Sequence, residues 1–484
     1  MRDSGRAGLP ARREAIMAQF KPVTGKLLRE LKSLLGEESV LTQPEQRQPY
    51  SCDEMPRPRP HAPEVVVKPG DAGAVARVLA LANKAAIPVT PRGGGTGLCG
   101  GAVPVFGGIL LSLERMNRIK EIDEDNFVAV VEPGVPLSDL YQAVERRGLY
   151  YPLYPGEKSA HIGGNVATNA GGMKAMKYGV TRHWVLGLEA VLPTGETIRT
   201  GGKFVKCSTG YDLTQLLVGS EGTLAVITEV TLRLTTPPGW QEVLFIPFPG
   251  LPQAIKAVPA ILKQRVPLAG LEFLERDAIE LMEKYVGREI PFHEHEAFLL
   301  GILEGNSQEE VYQGANQVAE VCSRNGAVDT YIPGSERARR ELLEGREKLY
   351  HALKRSGPTE IADVVVPLSL IAEFVTRVKE ISRRYGIPIL AYGHAGDGNV
   401  HLHPLGRGME QQEWEANLPR VMEEMYRAGA SLGGTISGEH GLGLDKKGYL
   451  SIAMGQEQIA FMARLKRAFD PNYILNPGKV LNGA

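Results

Sequence analysis

The chain has 484 residues, 43% hydrophobic and 23% charged, the balance of a soluble globular protein with room for two or three domains. Its 55 Lys and Arg against 56 Asp and Glu leave a net charge of −1, which argues against nucleic acid or an anionic membrane surface as a partner. Cys52, Cys99, Cys207 and Cys322 lie far apart with no CxxC pair, which argues against a disulfide framework or thiolate metal site and fits a reducing, cytoplasmic compartment.

The opening MRDSGRAGLPARREAIMAQF is basic but has no apolar core, so it does not read as a secretory signal, and Met17 is a candidate start. No apolar run reaches the length of a membrane span. Leucines at helical spacing predict a helix over 23–36, and RPRPHAP (57–63) reads as a connector. A strand at Val65–Val67, a helix over 72–86 and a strand over 87–91 follow. Glycine-rich segments fill 90–237 and end in the strand AVITEVTLRL; Pro237-Pro238 marks a boundary. Beyond it, strands are expected at EVLFIPF, LAGLEFLE, AFLLGILEG and AVDTYIP, with helices over 251–264 and 307–326. These two β-α-β units suggest a ferredoxin-like antiparallel sheet with helices on one face. A long helix over 335–355, a further β-α-β unit through IADVVVP and IPILAYG, helices over 413–430 and 456–468, and an irregular tail complete the chain.

The loop PRGGGTGLCGGAVP (91–104) contains a formal GxGxxG. A dinucleotide fingerprint needs a helix to begin there, and Pro104, Gly107 and Gly108 forbid one. The loop reads instead as a run of backbone amides between two strands, fit to hold a phosphate. A second small-residue loop spans 155–179 and a third stretch spans 208–228. Together they would line the path of an extended cofactor.

In order along the chain, PRGGGTGL, IGGNVATNAGG, KYGVTR, GYDLTQLLVGSEGTLAVIT, GHAGDGNVH, SGEHGLG and NPGKVL resemble the FAD-linked oxidases of the vanillyl-alcohol oxidase (PCMH) type, nearest to the group that holds glycolate oxidase GlcD and D-lactate dehydrogenase. The resemblance covers roughly 40–482. It implies an α+β protein with a two-subdomain PCMH-type FAD-binding domain, a ferredoxin-like antiparallel-sheet cap domain for substrate, and a C-terminal helical return. The corresponding boundaries are 1–56 for an N-terminal extension, 57–237 for FAD, 238–420 for the cap and 421–484 for the return.

To the cofactor the resemblance assigns Arg92, Gly93, Gly94, Gly95, Thr96, Gly97, Leu98 and Gly101 in the first loop. In the second it assigns Pro155, Gly156, Ser159, Gly163, Gly164, Asn165, Thr168, Asn169, Gly171, Gly172 and Tyr178. Glu221, Gly222, Ile227 and the tail residue Asn476 complete the set. Relatives that bind FAD covalently use a histidine in the glycine loop; Thr96 stands here, so noncovalent FAD is expected. Where relatives often read PxDPGE, this chain reads PLYPGE, with Tyr154 in place of Asp.

YGHAGDGNVHLHP (392–404) gathers three of the ten histidines. His394 and His401 would face one another across a hairpin, and Glu439 follows in ISGEHGLG. Two imidazoles and a carboxylate leave open positions, as in a catalytic centre for Zn, Mn or Fe, and the resemblance implies the same ligands. His403 is expected to pack or hydrogen-bond, and His293 and His295 belong to a charged loop. His440 is the candidate general base. Arg346 matches an arginine with which relatives hold the substrate carboxylate. The hydroxyglutarate enzymes present a lysine where Ile361 stands, which points to a small monocarboxylate, D-lactate or glycolate, rather than D-2-hydroxyglutarate.

The activity so implied is oxidation of a small (R)-2-hydroxy acid to the 2-oxo acid. With no iron–sulfur cysteine series and no nicotinamide fingerprint, electrons would pass to electron-transferring flavoprotein or an iron–sulfur subunit. A homodimer is compatible with this reading. Other readings are a D-2-hydroxyglutarate-type dehydrogenase or other 2-hydroxy acid oxidase, direct reduction of oxygen, a metal-dependent hydrolase, which leaves the glycine loops unexplained, and a noncatalytic flavoprotein subunit.

Overall fold

The computed structural model describes residues 20–481, so Met17 and residues 1–16 lie outside the described part. The helix Gly25–Leu35 starts where Thr24 accepts the Leu27 amide, 3.2 Å away, and it buries Leu27 and Leu31. Asp71 caps the helix Ala72–Ala85 in the same way, on the Ala74 amide at 2.8 Å. That helix lays Val75, Val78 and Leu79 on a four-stranded sheet ordered Val40–Leu41, Val65–Val67, Ile109–Ser112, Val89–Arg92. Each such side chain contributes about 1.5–3 kcal/mol on burial.

Val89–Arg92 and Ile109–Ser112 pair in parallel. Their connection must cross from one end of the sheet to the other, and no helix does this. Residues 93–108, the glycine-rich segment, make the crossing as an irregular arch, as the sequence suggests. A five-stranded antiparallel sheet follows, ordered Ile119–Asp123, Val128–Val131, Val226–Arg233, Val185–Val191, Thr197–Gly201.

The third sheet has six strands in the order Trp240–Phe248, Ala297–Gly305, Leu268–Glu275, Ile389–His394, Asn399–Pro404, Ala362–Val365, and every pair is antiparallel. Its strands are almost wholly buried because helices cover both faces. Leu251–Leu262, Gln308–Arg324, Ile371–Tyr385 and Gln411–Ser431 pack one face. Arg276–Val286, which the sequence reading missed, joins Glu336–Glu347 and Leu349–Arg355 on the other.

Four expectations change. Helices cover both faces of the six-stranded sheet rather than one, because side chains on each face of its strands are apolar. AVDTYIP forms no strand and only bridges Tyr331 to Phe245. The long helix over 335–355 breaks at Lys348. The second small-residue loop contains a helix, Ile162–Thr168, because Val166 and Ile162 have a core to enter. The tail returns to the first sheet, with Leu475 bridging Val89 in parallel. Among the described residues no helix is long and apolar enough to cross a membrane.

Candidate active site

His394 ends one strand and His401 lies on the next, where it pairs with Tyr392. The antiparallel register therefore makes the two histidines diagonal neighbours on one face. Their Nε2 atoms are 3.3 Å apart. Glu439 Oε1 stands 3.3 Å from His394 Nε2 and 3.4 Å from His401 Nε2. Ligands at ~2.1 Å around a tetrahedral centre would sit ~3.4 Å apart, so this donor set fits a divalent metal. Glu439 approaches because Gly171 has no side chain: a Cβ there would meet Glu439 Oε2 at 2.7 Å.

The loop that carries Glu439 and His440 is folded around a carboxylate. Asp363, fully buried on its strand, accepts the backbone amides of Gly438, Glu439 and His440 at 3.0, 3.0 and 2.9 Å. The Ser437 hydroxyl donates to the same oxygen at 3.0 Å, and the Asn399 amide to the other at 2.7 Å. Lys446, itself fully buried, is 3.5 Å away. Nδ1 of His401 and Nδ1 of His440 each lie 3.7 Å from Asp363. Burial would raise the Asp363 pKa, but His440, Lys446 and His401 together hold it well below the carboxylate range.

With its Nδ1 toward Asp363, His440 presents Nε2 to Glu439, 3.7 Å away, and to the cavity. Burial lowers its pKa against the opposing charge of Asp363, which leaves the ring neutral and able to accept a proton near neutral pH. His394 is the reverse case. Burial pushes it down, but the charges of Glu272 and Glu439 outweigh burial and hold it well above its ordinary value. His401 is pushed well below, by burial and by His394.

Arg346 is buried on its helix, 2.5 Å from Glu272, with its guanidinium 4.6 Å above the Tyr392 ring. Its Nε makes no hydrogen bond to the described residues, which leaves a donor for a ligand carboxylate. His403 packs as expected, stacked on Tyr392 with Nε2 3.0 Å from its hydroxyl. His293 stays outside this cluster, beside Glu283 at 2.8 Å.

One continuous cavity joins this cluster to the glycine arch. Arg92 to Leu98 and Gly101 line it, as do Pro155, Gly156, Gly163, Gly164, Asn165, Thr168, Gly171, Gly172, Glu221, Gly222 and Ile227. At Gly101 and Gly164 a Cβ would meet no protein atom within 4 Å. The missing side chains thus leave open space in the cavity wall, a cradle that suits FAD. Ile361, Arg346, His440 and all three candidate ligands line the same cavity.

Four assigned residues do not line it. Ser159 is exposed and spends its hydroxyl on Glu157. Asn169 is the left-handed cap of Ile162–Thr168 and accepts the Arg182 amide. Tyr178 donates to Glu304 at 2.7 Å. Asn476 bridges the carbonyls of Gly101 and Glu221 at 3.0 and 2.8 Å.

The sequence reading missed Glu272 and Asp363, each an acid flanked by apolar residues inside a strand, and those flanks were the available signal. It also missed His161, which lines the cavity with a buried, unpartnered Nδ1. Tyr154 lines it too, and its hydroxyl bonds Glu347 rather than standing in for an aspartate.

The chain is similar to known proteins over most of its length. Over 468 residues the chain is 39% identical to a D-lactate dehydrogenase of Anaerostipes hadrus, covering 96% of this chain and 98% of that one. It is 44% identical to a D-lactate dehydrogenase of Archaeoglobus fulgidus, covering 89% and 95%. A solved p-cresol methylhydroxylase superposes with a TM-score of 0.77 at 19% identity, over 96% of this chain and 98% of that one, which shows the shared fold. The FAD binding domain model matches residues 63–201 and the C-terminal domain model of the FAD linked oxidases matches 237–480, so the chain belongs to the FAD-linked oxidases.

Proposed function

We propose that the chain is an FAD-dependent dehydrogenase that oxidises a small (R)-2-hydroxy acid, D-lactate or glycolate, to the 2-oxo acid. The observation that carries this is that His440, Arg346 and the His394–His401–Glu439 set line the same cavity as the glycine loops. The D-lactate dehydrogenase names of the two relatives support it.

Arg346 holds the substrate carboxylate through its free Nε, and the Tyr392 ring beneath fixes the guanidinium plane. His440 Nε2 takes the hydroxyl proton, and Asp363 at its Nδ1 stabilises the imidazolium that forms. Bound FAD supplies the acceptor for the α-hydrogen and its electron pair. His394, His401 and Glu439 would hold a divalent cation, which would supply a Lewis acid at the substrate hydroxyl.

Ile361 lines the cavity where a second substrate carboxylate would need a cation, which favours a monocarboxylate. Electrons then leave for a separate acceptor, electron-transferring flavoprotein or an iron–sulfur subunit. A hydrolase built on the same histidines leaves the glycine-lined half of the cavity without a purpose.

The test is an anaerobic absorbance spectrum before and after D-lactate or glycolate, with L-lactate as control. Bleaching of the flavin band by D-lactate or glycolate but not by L-lactate supports the reading. A flavin band that neither D-lactate nor glycolate bleaches defeats the substrate assignment.

A further inference from the structure

We infer that Glu221 is a positioning residue that ties the walls of the cofactor cavity to the backbone of the general base His440. Its carboxylate accepts the amides of Leu442 and Gly443, one on each oxygen, both at 2.8 Å. Asp363 takes the amides of 438–440. Two carboxylates, one on the six-stranded sheet and one just before the strand Val226–Arg233, thus grip one short loop from either side of Gly441. A Cβ at Gly441 would come within 3.0 Å of the Glu221 carboxylate, so the grip needs glycine there.

Glu221 is itself anchored. Its amide donates to Ala167 and its carbonyl accepts from Asn476, both at 2.8 Å. Ala167 lies in the cavity wall, and Asn476 also holds the carbonyl of Gly101 in the glycine arch. Glu221 has φ +51, a left-handed conformation that costs a non-glycine residue on the order of 1 kcal/mol or more. The surrounding bonds over-determine that conformation and aim the side chain at the loop.

The consequence is geometric. Asp363 fixes His440 relative to the six-stranded sheet, and Glu221 fixes the same loop relative to the segments that cradle the cofactor. Both carboxylate oxygens of Glu221 are taken up by the loop amides, so it acts on the reaction through that loop and sets how far His440 stands from the reacting atoms. A displacement of ~1 Å at a reacting group can lower a rate about 100-fold.

The inference rests on His440 being the base, so H440A is studied beside E221Q. Glutamine keeps one acceptor and turns an N–H2 toward a loop amide. In single-turnover reduction by D-lactate, E221Q is expected to lower the limiting rate of flavin reduction about 10- to 100-fold. The substrate dissociation constant should change less than about twofold, with full FAD content and unaltered reduction by dithionite. A purely structural staple would instead lower FAD content and melting temperature and leave the rate of the FAD-loaded fraction intact. That result overturns the inference. Should E221Q not retain FAD, E221D, which keeps both acceptors on a shorter arm, is read in the same way. Loss of FAD from E221D as well would mean that Glu221 serves cofactor retention, and the inference fails. An inactive H440A beside a wild-type E221Q sinks only the Glu221 assignment. A fast H440A removes the base, and the inference with it.

Discussion

The Glu272 carboxylate stands 2.6 Å from Nδ1 of His394 and so leaves Nε2 of that ring turned to His401 and Glu439. A carboxylate behind a ligand histidine fixes its tautomer and raises its basicity, and loss of such a partner costs roughly 10- to 100-fold in metal affinity. Glu272→Gln should therefore lower bound divalent metal per FAD, measured by elemental analysis and by metal titration, while FAD content holds. Glu272 also pairs with Arg346, so KM for D-lactate should rise in the same variant. Unchanged metal affinity would refute the supporting role.

How far the site could be read beforehand follows from what each residue contacts. His394, His401, Glu439 and His440 lie in two short motifs whose spacing already suggests convergence. The glycine arch was legible because Pro104, Gly107 and Gly108 forbid a helix. Asp363 and Glu272 were not singled out, since their partners come from strands and loops far along the chain: Glu272 meets His394 only through the register of two paired strands. Ser159, Asn169, Tyr178 and Asn476 do not line the cavity, for a related reason. Motif membership does not say whether a polar side chain faces the cavity or braces the backbone behind it. The helix Arg276–Val286 was missed because DAIELMEKYV sits directly after a strand with no loop between.

Asp363 satisfies three backbone amides, a hydroxyl and a side-chain amide, and it is the buried partner of Lys446. Asp363→Ala should destabilise the protein by about 3–5 kcal/mol, since it strands a buried cation and several donors. Thermal melting of the holoprotein would show it. Asp363→Asn retains the acceptor oxygens in part and should melt between the two. A melting temperature for Asp363→Ala equal to wild type would refute the arrangement.

Ile361 is 3% exposed and lines the cavity with Arg346 and His440. Ile361→Lys places a cation where a distal carboxylate would arrive. KM for D-2-hydroxyglutarate should fall and KM for D-lactate should rise, so the ratio of their kcat/KM values should shift at least about tenfold, the equivalent of about 1.4 kcal/mol. A ratio that does not move would place Ile361 away from the substrate.

Lys479 is buried beneath the glycine arch, its ammonium 2.6 Å from the Val103 carbonyl and 3.4 Å from Asn476 Oδ1. Burial pushes its pKa down from 10.5 to about 7, against the opposing charge of Asp53. The folded pKa lies below the unfolded one, so between these values the unfolded chain binds more protons. Stability should accordingly rise with pH from about 7 toward about 10.5, and be lost over the same window as pH is lowered, levelling off below about 7. Lys479→Met cannot titrate. Its melting temperature, followed by flavin release from about pH 6 to about pH 9.5, should exceed wild type at the acid end and show a shallower rise. Parallel curves for the two proteins would mean that Lys479 remains charged in the fold, held by Val103 and Asp53 against its burial.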